Sequence, residues 1–280
     1  MNDANREQIE LWDGVFGRRW AAHQESLDRV WGSLGDATIQ RAAVVEGARI
    51  LDVGCGCGAT TLQLAEMTGP RGLVVGLDVS GPMLARANER ARAAGAGNVR
   101  FVNADASTYT SDNEFDLVFS RAGVMFFRDP VAAFANLRRA LRRRGGLALV
   151  CFRDLGLNPW WTVPLAATGT VVKLDPASAP NGPGVFSFAN ERKLREVIEQ
   201  SGFVDAIYEP VDFELLLGAD IESATDFSVN AGAAAKVLAG LDDELRTLGR
   251  RAISQSLSQY AGPNGVTLRA ATWIVVARNK

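Results

Sequence analysis

The chain has few of the residues that build metal centres and disulfide frameworks. Its 280 residues contain one histidine, His23, and three cysteines, of which Cys55 and Cys57 flank a single glycine. A structural zinc site takes four ligands, commonly as two Cys or His pairs, and the sequence has no second cysteine pair. An odd cysteine count does not make a disulfide framework and favours a reducing compartment. We therefore expect neither a metal site nor structural disulfides.

A strong net charge and long apolar runs are also lacking. The formal net charge is −2, and the one dense basic run, residues 138–144, is predicted at the end of a helix as a solvated face. No apolar run approaches the roughly 20 residues that span a bilayer, and the N-terminal stretch MNDANREQIELWDG is polar, unlike a signal peptide. These features argue against nucleic acid and membranes as partners, and we expect a soluble protein of the cytoplasm.

The middle of the chain alternates short apolar runs with helical segments, and 47% of all residues are hydrophobic. Such alternation is typical of βαβ units and a parallel sheet. Ser80 and Asp129 are placed to cap two of the helices, each followed closely by a proline. The predicted strands are residues 49–53, 72–77, 99–102, 115–120 and 146–152, with helices at 80–95 and 129–145. The sequence thus predicts an α/β fold with a Rossmann-like core.

A glycine-rich turn, ILDVGCGCG at residues 50–58, joins the first predicted strand to a helix. Gly54, Gly56 and Gly58 would let the backbone approach a ligand closely. Their GxGxG spacing differs from the GxGxxG spacing of dinucleotide-binding folds. The preceding Asp52 adds little to an anion-binding loop, whereas a ligand carrying an ammonium and a sulfonium gains from a carboxylate there. The turn therefore predicts a nucleotide cradle for a cationic ligand.

Polar residues follow the next three strands at their carboxyl ends. Asp78 in GLDVS can hydrogen-bond both hydroxyls of a ribose. Asp105 in NADA can accept from an adenine amino group, while the Ala106 amide meets a ring nitrogen. Ser120 and Arg121 end the run FDLVFSR and are predicted to face the cleft where the strand order reverses. Together these positions indicate an adenosine ligand.

These motifs, in this order, resemble the class I S-adenosylmethionine-dependent methyltransferases over roughly residues 48–152, and most closely the small-molecule enzymes related to the quinone-biosynthesis C-methyltransferases. The resemblance implies a seven-stranded, mostly parallel sheet in the order 3-2-1-4-5-7-6 with the last strand antiparallel. It implies S-adenosylmethionine as methyl donor and S-adenosylhomocysteine as product. The implied cofactor contacts are Asp52, Gly54, Cys55, Gly56, Ser120 and Arg121 at the methionine end, Asp78 at the ribose, Val79 and Met83 at the adenine face, and Asp105 and Ala106 at its edge. Val79 and Met83, taken alone, are equally typical of core residues.

Residues outside the core are predicted to close the site and complete the sheet. Residues 1–45, with Trp20, form either a helical cap over the cofactor or an ordinary packed helical face. After the core of residues 46–152, residues 153–190 loosen into a lid or substrate segment rich in proline, glycine and aromatics. Residues 191–280 supply a helix at about 190–201, strands at 203–210 and 271–277, and a mainly helical insertion at about 212–268.

The catalytic and acceptor-binding residues are less strongly marked. Methyl transfer from a sulfonium is an in-line displacement that needs a base only for a protonated acceptor. His23 and Tyr109 are the candidate bases, although a lone histidine on a helix is commonly structural or solvated. The candidate acceptor-binding residues are Met125, Phe127, Trp160 and Trp161. These residues either bind a small, partly apolar acceptor or are core residues that pack against the lid.

Several alternatives stay open at this stage. The methyl group could go to oxygen, nitrogen or carbon, and a homodimer is as compatible with the sequence as a monomer. An NAD-dependent oxidoreductase on the same fold would need a hydride-transfer site, and neither GxGxxG nor a Tyr-x-x-x-Lys pair is found. A non-catalytic module that binds S-adenosylmethionine is the other alternative.

Overall fold

The computed structural model describes residues 5–111, 114–174 and 182–280. Strands in these residues are β1 (Arg49–Val53), β2 (Leu73–Asp78), β3 (Val99–Asn103), β4 (Phe115–Arg121), β5 (Leu141–Phe152), β6 (Val204–Gly218), β7 (Ala261–Gly262) and β8 (Gly265–Arg278). Helices are α1 (Arg6–Asp13), α2 (Val15–Ala22), α3 (Gln24–Ala42), α4 (Ala59–Thr68), α5 (Gly81–Ala93), α6 (Pro130–Ala140), α7 (Pro159–Gly169), α8 (Glu191–Gln200), α9 (Ile221–Asn230), α10 (Ala235–Ala239) and α11 (Asp243–Leu257). Across these ranges, no helix is both long and apolar enough to cross a membrane.

One mixed sheet forms the centre of the fold, in the order β3-β2-β1-β4-β5-β8-β6. Strands β1 to β5 pair in parallel, and β8 lies antiparallel to both β5 and β6. The two-residue β7 pairs with β8 off this path. With β7 set aside, the predicted seven-strand order is confirmed. Because the parallel strands share one direction, the carboxyl ends of β1, β2, β3 and β4 meet at one edge of the sheet.

The predicted helix at residues 129–145 is wrong at its end. Helix α6 stops at Ala140, and β5 already begins at Leu141, which pairs with Phe115 of β4. Leu141 is fully buried there. Burying this side chain in the sheet outweighs the good helix propensity of the arginines that follow it. The basic run of residues 138–144 therefore crosses from a helix into a strand.

The C-terminal strands are longer than predicted. β6 and β8 pair from Val204 opposite Arg278 to Gly218 opposite Val266. At the far end of this ribbon Leu215, Leu217 and Leu268 are buried, because α9 packs on β6 and β8 there. The helical insertion therefore spans residues 221–257 rather than 212–268.

The predicted loose segment after β5 contains a regular helix. Helix α7 begins at Pro159, a favourable first position, and packs on α11 and β8. The prediction of an irregular chain is therefore wrong for residues 159–169. Residues 175–181 of the predicted lid lie outside the described residues.

The N-terminal helices fall into two groups. Helix α3 lies across the sheet, with Leu27, Val30 and Leu34 in the larger core cluster and Ile39 in the smaller one. Helices α1 and α2 pack on each other, and α2 also packs on α5. Since α5 begins just after the carboxyl end of β2, these two short helices lie at the edge where the strand ends meet.

Candidate cofactor-binding site

The glycine turn after β1 is shaped by left-handed backbone angles. The φ angles of Gly54, Gly56 and Gly58 are +68°, +54° and +80°. A Cβ atom at Gly54 would lie 2.7 Å from the Cα atom of Gly123, and one at Gly58 would lie 2.9 Å from the Cζ atom of Phe101. Glycine is therefore required both by the backbone angle and by the space.

Asp52 is the penultimate residue of β1, just before this turn, and is fully buried. Its Oδ2 accepts hydrogen bonds from the hydroxyls of Thr60 at 2.8 Å and Thr61 at 2.6 Å, both on α4. Its Oδ1 is buried and has no hydrogen-bond partner among the described residues. Burial raises the pKa of Asp52, and the two hydroxyls oppose that rise. An unpaired buried carboxylate oxygen marks a place where a donor or a cation can bind.

Asp78, at the end of β2, fixes the turn from its other side. Its Oδ2 accepts from the Gly56 amide at 2.8 Å, and its Oδ1 accepts from the Ser80 amide at 2.9 Å. Burial raises the pKa of Asp78 to about 6, against the effect of these hydrogen bonds and with a contribution from Asp52. Each carboxylate oxygen can accept a second hydrogen bond, so Asp78 can still bind a hydroxyl.

Ser120 and Arg121 differ in what they contact at the end of β4. The Ser120 hydroxyl donates to the Val53 carbonyl at 2.8 Å and accepts from the Gly123 amide at 3.2 Å, so it already joins β4 to β1. Arg121 is half-buried beside α3, where a Cβ atom at Gly35 would lie 3.5 Å from its Cδ atom. Burial lowers the pKa of Arg121. No hydrogen bond or ion pair engages its guanidinium within the described ranges.

Asp105 is engaged by a residue that the sequence reasoning missed. Both of its carboxylate oxygens accept from the side-chain amide of Asn5, at 3.2 and 3.1 Å, and one also accepts from the Ser107 amide. Asn5 is buried, and its carbonyl oxygen accepts from the Arg128 amide at 3.0 Å. A single asparagine in a polar N-terminal stretch gives no sequence signal for such a contact. Ala106 is buried next to this group, and its carbonyl accepts from the Asn136 side chain.

Helices α1 and α2 lie at this edge of the sheet, where α2 packs on α5. Asp13 accepts a hydrogen bond from the Gly81 amide at 2.8 Å, directly after Ser80. Trp12 packs edge-on against Trp20 and Phe126, at ring-centroid distances of 5.0 and 5.2 Å. Nearby, Met83 is buried at the start of α5 and Val79 is half-buried. Trp20 therefore lies in the covering layer rather than in the cofactor turn.

The two candidate bases, His23 and Tyr109, lie outside the glycine turn. His23 joins α2 to α3 and lines a surface depression with Gln24 and Arg86. Tyr109 lies beyond β3, where burial raises the pKa of its phenol. Its backbone carbonyl accepts from Asn136 at 2.7 Å. Among the described residues, no hydrogen bond links either side chain to the glycine turn.

The four candidate acceptor residues separate into core and edge positions. Trp160 is buried and donates from its indole nitrogen to Asn158 at 3.0 Å, which makes it a core residue. Trp161 is half-buried and packs edge-on against Trp160 and Phe186, at 5.3 and 5.5 Å. Phe127 packs against the aromatic core near β4, and the Met125 carbonyl accepts from the Gly184 amide.

Trp31 of α3, which was predicted only as part of the N-terminal segment, joins this aromatic cluster. Its ring lies 4.8 Å from that of Trp160 and 5.8 Å from that of Phe152, the last residue of β5. Its indole nitrogen is buried and has no hydrogen-bond partner in the described part of the chain. The cluster thus lines the carboxyl end of β5, which is separated from β1 and its glycine turn by β4.

Comparisons with known proteins identify the family and the fold. A family described as a methyltransferase domain matches residues 50–145. Aklanonic acid methyltransferase DauC of Streptomyces sp. strain C5 is 31% identical over 148 residues, which span 52% of this chain and 62% of that protein. Demethylmenaquinone methyltransferase of Geobacillus kaustophilus is 30% identical over 192 residues, which span 62% of this chain and 79% of that protein. The crystal structure of the (4+2)-cyclase SpnF shares the fold at a TM-score of 0.56 and 20% identity, covering 94% of this chain and 95% of that one. The chain belongs to the class I S-adenosylmethionine-dependent methyltransferases, where it is related to the quinone-biosynthesis C-methyltransferases.

Proposed function

We propose that this protein transfers the methyl group of S-adenosylmethionine to an oxygen, nitrogen or carbon atom of a small, partly apolar acceptor. The observation that carries the proposal is the buried and unpaired Oδ1 of Asp52 beneath the glycine turn. A pyrophosphate would be repelled by this carboxylate, whereas the ammonium of a methionine group would supply its missing partner. The family to which the chain belongs uses the same cofactor.

The methionine end of the cofactor fits between two opposite charges. We assign Asp52 to the ammonium, and we assign to the carboxylate Arg121, whose guanidinium has no hydrogen bond or ion pair within the described residues. The turn of Gly54, Cys55 and Gly56 would lie against the methionine chain, since glycine permits a close approach of the backbone. Ser120 would act indirectly, by holding the end of β4 against β1.

The adenosine end fits the remaining carboxylates. Asp78 would bind the ribose hydroxyls, and Val79 and Met83 would contact the adenine face. Asp105 and the Ala106 amide would bind the adenine edge. Because the Asn5 amide donates to both oxygens of Asp105 and the Ser107 amide to Oδ1, we propose that Asn5 competes with an adenine amino group for this carboxylate.

The bound cofactor supplies a methyl group that its sulfonium already activates. The protein's part is therefore to hold the acceptor in line and to exclude water. We propose that helices α1 and α2 exclude water and that the half-buried Trp161 contacts an apolar part of the acceptor, whereas Met125 and Phe127 are buried in the core. A base is needed only for a protonated acceptor, and methyl-transfer rates of His23→Ala and Tyr109→Phe would test the two candidates.

Titration calorimetry with S-adenosylhomocysteine and with NADH tests the cofactor. We expect micromolar binding of the former and none of the latter, and tight NADH binding alone would overturn the proposal. Transfer of a radiolabelled methyl group into a metabolite extract then tests the activity. Binding of S-adenosylhomocysteine without transfer to any acceptor would instead favour a non-catalytic module.

We also propose that the protein works in the cytoplasm. Its cysteines Cys55, Cys57 and Cys151 are free and buried, as suits a reducing compartment. For its assembly we propose either a homodimer or a monomer. Light scattering of the purified protein would distinguish the two.

A further inference from the structure

We propose that Arg90 is a positioning residue that fixes the conformation of the glycine turn, residues 54–58, from the side that faces α5. Arg90 lies on α5, outside the cofactor contacts that the sequence predicts. Its Nη1 donates to the carbonyl of Cys57 at 2.7 Å, and its Nη2 donates to Oδ2 of Asp28 on α3 at 2.7 Å. One guanidinium thus joins the turn, α5 and the N-terminal helix α3.

The Cys57 carbonyl lies where the conformation of the turn depends most on outside contacts. It lies between Gly56 and Gly58, which both have positive φ angles. Glycines lose more conformational freedom on ordering than other residues, so the shape of such a turn depends on the groups that fix it. On the other side, Gly54 and Cys55 donate to one β2 carbonyl, and Gly56 donates to Asp78. Arg90 fixes the side that faces α5.

Asp28 holds the Arg90 side chain in this position. The exposed fractions of the two side chains are 21% and 27%, so their ion pair is shielded more than a surface pair. The buried Gln24 donates to the same oxygen of Asp28 at 2.5 Å, and Arg86 donates to Gln24. The planar fork of arginine can bind a carbonyl and a carboxylate at once, which lysine cannot do in the same geometry.

Charge balance gives Asp28 a second role. The proposed ligand of the turn is a cation at its sulfonium, and an unpaired arginine behind the turn would repel it. The Asp28 carboxylate neutralises Arg90 at close range. The pair therefore fixes the turn without adding a net positive charge to it.

The matched test compares Arg90→Met with Arg92→Met, two positions further along α5. Arg92 is exposed, and its side chain makes no hydrogen bond or ion pair with the described residues. Since a hydrogen bond to a charged group is involved, we expect Arg90→Met to raise the Kd for S-adenosylhomocysteine about tenfold. We expect Arg92→Met to stay within about twofold of the wild type by the same scale.

A second readout does not depend on any ligand. Hydrogen exchange of the Gly56 and Gly58 amides in the cofactor-free protein should quicken about tenfold in Arg90→Met and hardly at all in Arg92→Met. Equal exchange in the two variants, or an unchanged Kd in Arg90→Met, would overturn the inference. The binding readout rests on the proposed function, and the exchange readout does not, so failure of the wild type to bind S-adenosylhomocysteine would overturn the function alone.

Two milder variants cover the case in which Arg90→Met does not fold. Arg90→Lys should restore part of the affinity, since an ammonium can reach one of the two acceptors. Asp28→Asn should raise the Kd by about threefold, and its combination with Arg90→Met should raise the Kd by less than the two separate effects together, because the two residues form one ion pair. Additive effects of the two substitutions would contradict the inference.

Discussion

The Asn5 side-chain amide donates to both carboxylate oxygens of Asp105, over 3.2 and 3.1 Å. The contact ties the start of α1 to the end of β3, and it satisfies the carboxylate that we assign to the adenine amino group. An NH₂ group of the protein thus takes the place of an NH₂ group of the proposed cofactor. The two groups therefore compete for the same carboxylate.

We therefore expect Asn5→Ala to bind S-adenosylhomocysteine about threefold more tightly than the wild type, since an internal competitor is removed. Titration calorimetry measures the change. The exposed Glu7→Gln on the same helix is the matched control and should leave the Kd unchanged. A weaker affinity in Asn5→Ala would mean that Asn5 belongs to the cofactor-bound state instead.

Asp78 makes cofactor binding depend on pH. Its pKa is raised to about 6, so the carboxylate that would accept from the ribose is lost as the pH falls through 6. At about pH 5 roughly a tenth of it stays ionised, and we expect the affinity for S-adenosylhomocysteine to be about tenfold lower than at pH 7. Asp78→Asn should bind weakly at both pH values. A wild-type Kd that does not change between pH 7 and pH 5 would refute this prediction.

Substitution of Asp52 should increase the stability of the protein and weaken cofactor binding. Burial raises the pKa of Asp52 above its value in the unfolded chain. The ionised carboxylate therefore destabilises the fold at neutral pH, and this destabilisation fades as the pH falls and Asp52 takes up a proton. We expect Asp52→Asn to raise the Tm at pH 7 by about 2–4 °C, the equivalent of about 1 kcal/mol. The gain should shrink at lower pH.

The same substitution removes the charge assigned to the cofactor's ammonium, so the Kd for S-adenosylhomocysteine should rise at least about tenfold. Calorimetry measures both quantities on one sample. The control is Asp36→Asn, an exposed residue of α3 that accepts from Gln63, and it should change neither. Full cofactor affinity in Asp52→Asn would remove the main support for the proposed ligand.

The glycine turn can be tested by a pair of alanine substitutions. Gly54→Ala combines a φ of +68° with a contact of 2.7 Å to the backbone of Gly123, whereas Gly47→Ala has a φ of +80° and nothing within 4 Å. We expect Gly47→Ala to cost about 1 kcal/mol and Gly54→Ala about 3 kcal/mol, with loss of cofactor binding in the latter alone. Urea unfolding measures the stabilities, and equal losses would show that the space around Gly54 is not limiting.

Local patterns in the sequence predicted the parallel core well, because short buried strands and capped helices are encoded by neighbouring residues. The start of α5 is one case, where Ser80 accepts from the Met83 amide as its position before Pro82 predicts. The end of α6 is the opposite case. There the arginines after Ala140 favour a helix, and burial of Leu141 against β4 prevails.

What the sequence by itself determined is which residues stand at the strand ends: the glycines of the turn, and Asp52, Asp78 and Asp105, are separate short motifs whose proposed roles follow from residue type and position in or after a strand. Only the tertiary structure decided what those groups contact. Asn5 and Asp105 are a hundred positions apart and Arg90 and Asp28 lie on different helices, so no local pattern could pair them. The packing of α1, α3 and α5 around the sheet brings them together, because burial of their apolar faces sets which polar side chains meet.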